Sequence, residues 1–308
     1  MLDPTAFLTE LYVLVDDWDK TQPPPPPCPG PAPALTRSEV LTLALFSQWA
    51  GFASERGFWR YAERHLRPLF PTLPSRVRFN CAVRRCHDWL CRLGVALGAA
   101  LRAAARTYEI LDATGVPTRD RQRRGRGWLA GEAALGQCTR LGWYVGVRLL
   151  VCATPTGAVT GFGIAPANTN DRRLAETFLA ARRHPDPALP SVGQARDQWY
   201  LADGGFTGAN WEAHWRTAYQ AEVICPPQLN HPRRWTRAQR QWLASHRQVI
   251  ETVMSRLLTS FRLAQERPHT LRGLQARLAA KIGLHNACLW LNRHHGRPLL
   301  AVADLIDR

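Results

Sequence analysis

Trp199-Tyr200-Leu201-Ala202-Asp203-Gly204-Gly205-Phe206-Thr207-Gly208 (WYLADGGFTG) runs from an apolar stretch into a carboxylate and then a pair of glycines. A short apolar run bounded by glycines reads as a buried strand. The Asp at its end is costly to bury unless something pairs with it. The glycines let the backbone turn sharply and leave open space beside that carboxylate. A helical segment follows at about 208–219, then a short strand at 222–225 stopped by Pro226-Pro227. Strand, helix and strand in this order imply an α/β sheet.

Working outward, a second β-rich run at 107–111 ends at Asp112. Residues 141–154 are rich in β-formers, Thr156-Gly157 makes a turn, and 158–166 is the returning strand. Asn170-Asp171 offers N-caps for a helix at about 172–183. Downstream, a long helix at 237–261 carries the apolar stripe Ile250, Val253, Leu257 and Phe261, and a last helix covers 271–292. The expected core is a mixed sheet with helices packed on it.

Before residue 106 the texture is different. A short helix at 4–18 is followed by the proline tract 22–33, QPPPPPCPGPAP, which favours extended, semi-rigid chain. Thr36 and Glu39 have capping-box spacing, and helices are expected at 55–65 and 76–105, with Pro68, Pro71 and Pro74 between them. The expected organisation is therefore 1–34, helix and linker; 35–105, a small all-helical domain; 106–295, the α/β domain; and 296–308, a tail.

The 308 residues are 45% hydrophobic, enough for a sizeable core. Net charge is +16, with a sequence pI of about 10.5, and only Lys20 and Lys281 are lysines, so the excess is arginine. Arginine grips phosphate with a planar fork of donors, and a globular chain this basic points to nucleic acid. A GC-rich genome explains Arg in place of Lys but not the sign of the charge. The eight cysteines do not read as a disulfide framework in a chain this long, and Cys81, Cys86 and Cys91 lack zinc-ligand spacing. The acidic first twenty residues are unlike a signal peptide, and no apolar run approaches the roughly 18 residues of a membrane span. A soluble, cytoplasmic protein with no membrane partner is expected.

Asp112 and Asp203 occupy matching strand ends, where ligands bind in open α/β sheets. Two carboxylates there repel each other, and a divalent cation such as Mg²⁺, which prefers oxygen ligands, relieves that. Glu251, inside a largely apolar helix, is the best third acid, and Arg247 lies one turn before it. Two ions about 4 Å apart in such a site support in-line displacement at phosphorus. Each acid alone could equally be a turn former or a cap. Asp171 reads as a cap, and Asp120 as paired with its arginine neighbours.

At these residues the chain resembles bacterial insertion-sequence transposases of the DDE type. The resemblance spans about 35–295 and rests on an ordered set: LTRSEVLTLAL, LPSRVRFN, ILDATGVP with Asp112, the hairpin-to-helix stretch GWYVGVRLLVCATPTGAVTGFGIAPANTNDRRLAETFL, LADGGFTG with Asp203, and RQVIETVMSRL with Glu251. The acids are 203 − 112 = 91 and 251 − 203 = 48 residues apart, compatible with a core lacking a large insertion. The resemblance implies a ribonuclease H-like fold in which Asp112, Asp203 and Glu251 are catalytic and hold two Mg²⁺ or Mn²⁺ ions. It further implies double-stranded DNA as partner, both element ends and target, and two protomers paired on it. Many relatives carry Lys and His in the hairpin strand and a His before the helix Asp; here those places hold Val147-Arg148-Leu149-Leu150 and Asn170. An Arg four before the Glu is matched by Arg247, whereas the flanking Tyr and Lys are replaced by Ala244 and Leu258.

Arg119, Arg121, Arg123, Arg124 and Arg126 crowd TRDRQRRGRGW and repel each other unless phosphates lie between them, so a DNA-contacting loop beside the acids is expected. Arg148 and Arg247 are further phosphate candidates, and Trp235 has two readings, stacking on an unpaired base or packing on its own helix. The resulting expectation is a transposase that cuts at element ends and joins 3′-ends to target DNA. The rivals are a nuclease of the same fold that never joins strands, and a decayed, DNA-binding repressor.

Overall fold

The computed structural model describes residues 2–305 apart from 25–29, 31, 50–51, 53, 103–107, 121, 123–128, 130, 196–198 and 228–234. The chain forms two compact units, Met1–Gly94 with Gln275–Arg308, and Val95–Leu274.

The first unit is helical. In α1 (Pro4–Lys20), Asp3 Oδ1 caps the start by accepting from the Thr5 and Ala6 amides. α2 (Arg37–Phe46) opens on the Thr36/Glu39 capping box that the sequence signals. α3 (Glu55–Tyr61) runs into a π turn, and the helix expected over 76–105 is two helices, α4 (Arg76–Arg85) and α5 (His87–Leu101), broken at Cys86, whose ψ of 11° is not helical. The unit's core is aromatic: Phe7, Phe46, Phe58 and Phe79 are buried, and Trp59 stacks on Phe79 at 5.0 Å between centroids. α4 buries Phe79 and leaves Arg76, Arg78, Arg84 and Arg85 exposed.

Among the described residues, the second unit holds a six-stranded sheet. β1 (Glu109–Arg119), β2 (Ala134–Cys138), β3 (Gly142–Ala153) and β4 (Val159–Pro166) form an antiparallel half, with β1, β2 and β4 all paired to β3. After α6 (Asp171–Arg183), the short strands β5 (Trp199–Leu201) and β6 (Glu222–Ile224), separated by α7 (Ala209–Tyr219), extend the sheet in parallel on the other side of β1. The order is β2-β3-β1-β5-β6, with β4 also on β3. This is the mixed, helix-flanked sheet of a ribonuclease H-like fold.

Alternate residues of β1 serve opposite faces. Leu111 joins Leu150, Cys152, Phe178, Tyr200 and Trp215 in the core under α6 and α7. Asp112, paired in register with Val151, faces the other way, toward α8 (Arg237–Ser255). Under β1, the fully buried Glu109 receives Arg182 of α6, Arg102 and the Thr160 hydroxyl of β4. The last helix, α9 (Leu271–His294), belongs from Gln275 onward to the first unit. No helix among the described residues is long and apolar enough to cross a membrane, and the described cysteines are free thiols.

Asp112 does not end its strand; β1 continues seven residues further, to Arg119, along β3.

Candidate active site

Parallel pairing of β1 with β5 sets Ile110 opposite Leu201. Asp112 and Asp203 each follow two residues later, so register alone brings the two carboxylates out side by side. Asp203 leaves β5 as the N-cap of a single 3₁₀ turn over Gly204–Phe206, and its Oδ1 accepts from the Gly205 amide at 2.8 Å. Asp112 Oδ1 accepts from the Ala113 amide at 2.9 Å, and Arg247 Nη2 of α8 lies 3.4 Å from the same oxygen. Glu251 follows Arg247 by one turn on α8 and is exposed.

Asp112 feels the other two acids. Burial pushes the Asp112 carboxyl up to about 6, Arg247 opposes this, and Asp203 and Glu251 add to the rise. The donor set consists of hard carboxylate oxygens, which suits Mg²⁺ or Mn²⁺, and the crowded charge calls for a cation. The side chains are not drawn tight: among the described residues, no three His, Cys, Asp or Glu side chains converge to hold an ion. Arg247 is the countercharge nearest to Asp112.

Asp171 occupies a different position from the one its sequence suggests. Asn170 is the cap of α6, with its Oδ1 accepting from the Arg172 amide, so Asp171 is released from capping. It receives Arg148 Nε and Nη2 in two parallel 2.6 Å bonds, each side chain only 14% exposed. Asp171 in turn faces the loop after β5: a Cβ added at Gly205 would come within 2.9 Å of Asp171 Oδ2 and 3.0 Å of Asp203 Oδ1. Asp171 is thus the acid that sequence reasoning missed. The available signal was the adjacent Asn170, which caps as well and makes the Asp redundant for that purpose.

Of the arginine cluster, Arg121, Arg123, Arg124 and Arg126 lie outside the described residues. Arg119 is the last residue of β1 and half-buried, so it belongs to a strand rather than a loop. Asp120, expected to pair with arginines, is exposed and its Oδ1 accepts from the Gln122 amide. Trp235 is half-buried immediately before Thr236, the capping-box start of α8.

A family model described as a transposase DDE domain matches residues 107–287, more than half of the chain. No curated protein and no solved structure gives a significant match.

Proposed function

The chain belongs to the transposase DDE-domain family, whose substrate is DNA, and on that premise we propose that it cuts DNA at the ends of a mobile element and joins the 3′-ends to target DNA. What carries the reading is the Asp112–Asp203 pair set by strand register, with Glu251 and Arg247 facing it from α8.

Asp112, Asp203 and Glu251 are the residues to hold two divalent ions. When bound, Mg²⁺ or Mn²⁺ supplies Lewis acidity for in-line displacement at phosphorus. The protein's own groups do the rest. Asp203 is aimed by the Gly205 amide and Asp112 by that of Ala113. Arg247 now neutralises part of the Asp112 charge; once that charge is compensated, its guanidinium is available to a DNA phosphate. Arg148 shares such a role only through Asp171, which it grips bidentately. The attacking oxygen belongs to water in the cutting step and to a DNA 3′-hydroxyl in the joining step, so no covalent enzyme intermediate is required.

The exposed arginines of α4, within the helical domain at 35–105, provide a second grip on the duplex. Arg119 and the arginine-rich segment 121–126 provide another, Trp235 a stacking surface, and two protomers pair across two DNA ends.

The test is incubation of the full chain with pre-cleaved element ends, taken from the DNA flanking the gene, a target plasmid and Mg²⁺ or Mn²⁺. Joined products are expected. Nicks without joining favour a nuclease of the same fold, and binding without cutting in either metal favours a repressor. Asp203→Ala separates the roles, keeping DNA binding and losing both cutting and joining.

A further inference from the structure

Beside the acids, a cleft of about 430 Å³ lies between β2, the turn after β4 and the loop after β5. Its volume is that of a small-ligand site, roughly 300–1,000 Å³. Its walls are polar: Gln137, Asn168 and Thr169 line it with Arg148, Arg172 and Thr207. The two guanidiniums differ. Arg148 is committed to Asp171. Arg172 makes only long bonds, 3.3 Å each, to Asn170 Oδ1 and the Thr207 carbonyl, and among the described residues no carboxylate pairs with it. It is the uncompensated cation of the cleft.

Gly205 is the wall that the cleft shares with the acids, since Asp171 and Asp203 crowd it from either side. Gln137 pairs across the strands with Trp143, and cross-strand partners share a face. Trp143 is 52% exposed, a large indole left in solvent next to an amide that lines the cleft.

The geometry points to a subsite for one unpaired nucleotide of the DNA strand, its phosphate on Arg172 and its base edge on Asn168 and Gln137, with Trp143 offered for stacking. It rests on the DNA-acting reading above. A duplex is too wide for such a cleft, whereas a single nucleotide swung out of the stack is the right size. Guanidinium takes the phosphate, and the amides, each carrying donor and acceptor, read the base edge.

The test is equilibrium binding of the full chain in EDTA, where no metal-dependent cutting occurs. The probes are a fluorescent blunt duplex and the same duplex with a short single-stranded tail. Wild type is expected to prefer the tailed probe. Arg172→Ala should weaken tailed-probe binding roughly tenfold, the size of a lost charge-assisted bond. It should also flatten the salt slope by about 0.7, the value for one single-strand phosphate. Asn168→Ala should keep the salt slope and narrow the spread among dA, dC, dG and dT tails. Equal tailed-to-blunt ratios in wild type and both variants overturn the subsite. Independently of the variants, a 5-iodouracil tail photocrosslinked to wild type should attach to peptides holding 137–143, 167–172 or 204–207; attachment confined to other peptides also overturns it. A protein that cuts DNA in Mn²⁺ without any tail preference keeps the transposase reading and loses this one. One that never cuts yet holds tails through Arg172 does the reverse.

Discussion

Arg247 Nη2 stands 3.4 Å from Asp112 Oδ1, and only 16% of either side chain is exposed. The guanidinium does not win: burial, with Asp203 and Glu251, moves the Asp112 carboxyl from 3.8 to about 6. A carboxyl whose folded-state pKa lies above its unfolded value costs stability as pH rises. The cost is absent below about pH 4 and complete above about pH 6, at ~1.4 kcal/mol per unit and thus up to about 3 kcal/mol. Asp112→Asn removes the charge. It should raise the melting temperature at pH 7.5 in EDTA while abolishing DNA cutting, and the gain should vanish near pH 4. A lower melting temperature at pH 7.5 would refute charge crowding at this site.

Metal addition should reverse the ranking. A ligand that binds only the folded state stabilises by about 2.7 kcal/mol at one hundred times its dissociation constant. Millimolar Mn²⁺ is expected to raise the melting temperature of wild type and to leave Asp112→Asn and Asp203→Asn nearly unmoved. Equal shifts in all three proteins would place the ion elsewhere.

Gly205 should be irreplaceable for activity and cheap for folding. It is exposed, so Gly205→Ala has no core to disrupt. The new methyl would nonetheless press on Asp203 Oδ1 and Asp171 Oδ2 at 3.0 and 2.9 Å; Asp171 is clamped by Arg148, so Asp203 is the side chain that swings aside. The expected result is a stability loss of about 1 kcal/mol or less with at least a tenfold fall in cutting rate, since the displaced oxygen belongs to a candidate metal ligand. Wild-type cutting by Gly205→Ala would show that the Asp203 rotamer does not matter.

Much of this fold was legible because its strands and helices carry their own punctuation. The Thr36/Glu39 box and the Asn170 cap sit where the sequence puts them, as do Ile250 and Val253 of the α8 stripe. The helix expected to reach 261 instead gives way to a π turn over Arg256–Ser260, and Leu257 and Phe261 are buried from that turn and its end. The expected strand stopped at Asp112, whereas β1 continues through Gly115 and Pro117, two residue types that disfavour strand interiors. Both are tolerated for local reasons: Gly115 makes room for the Tyr144 ring, whose Cζ would lie 2.5 Å from an added Cβ. Pro117 lies beyond the last in-register pair of β1 with β5 and at the register shift of β1 against β3, and irregular strand positions of this kind are where proline is tolerated. β2, ALGQC, has no β-branched or aromatic residue and gives no strand signal; it exists because β3 offers a partner. At the site, single residues were ambiguous, and the order of motifs singled out Asp112, Asp203 and Glu251. The Arg148–Asp171 pair depends on a contact 23 residues apart that no local pattern encodes.

A buried ion network holds β1 in place three residues before Asp112. Glu109 is fully buried and receives Arg182, itself 2% exposed, together with Arg102 and the Thr160 hydroxyl. Burial alone pushes this carboxyl up, but the two guanidiniums and the hydroxyl outweigh it, and the net shift is downward. A depressed folded-state pKa contributes stability that is present above the ordinary glutamate value and lost as pH falls through the folded one. Acid unfolding should therefore draw on Glu109. Glu109→Gln strands two buried guanidiniums, at a cost of about 3–5 kcal/mol, and should flatten the loss of stability below about pH 4.5. Arg182→Met leaves Glu109 its Arg102 partner and should cost less. Urea unfolding across pH 3–7 measures all three proteins. An unchanged acid slope in Glu109→Gln would mean that the ion network does not set the pH response, and β1 would then owe its position to the apolar packing of Ile110 and Leu111 alone.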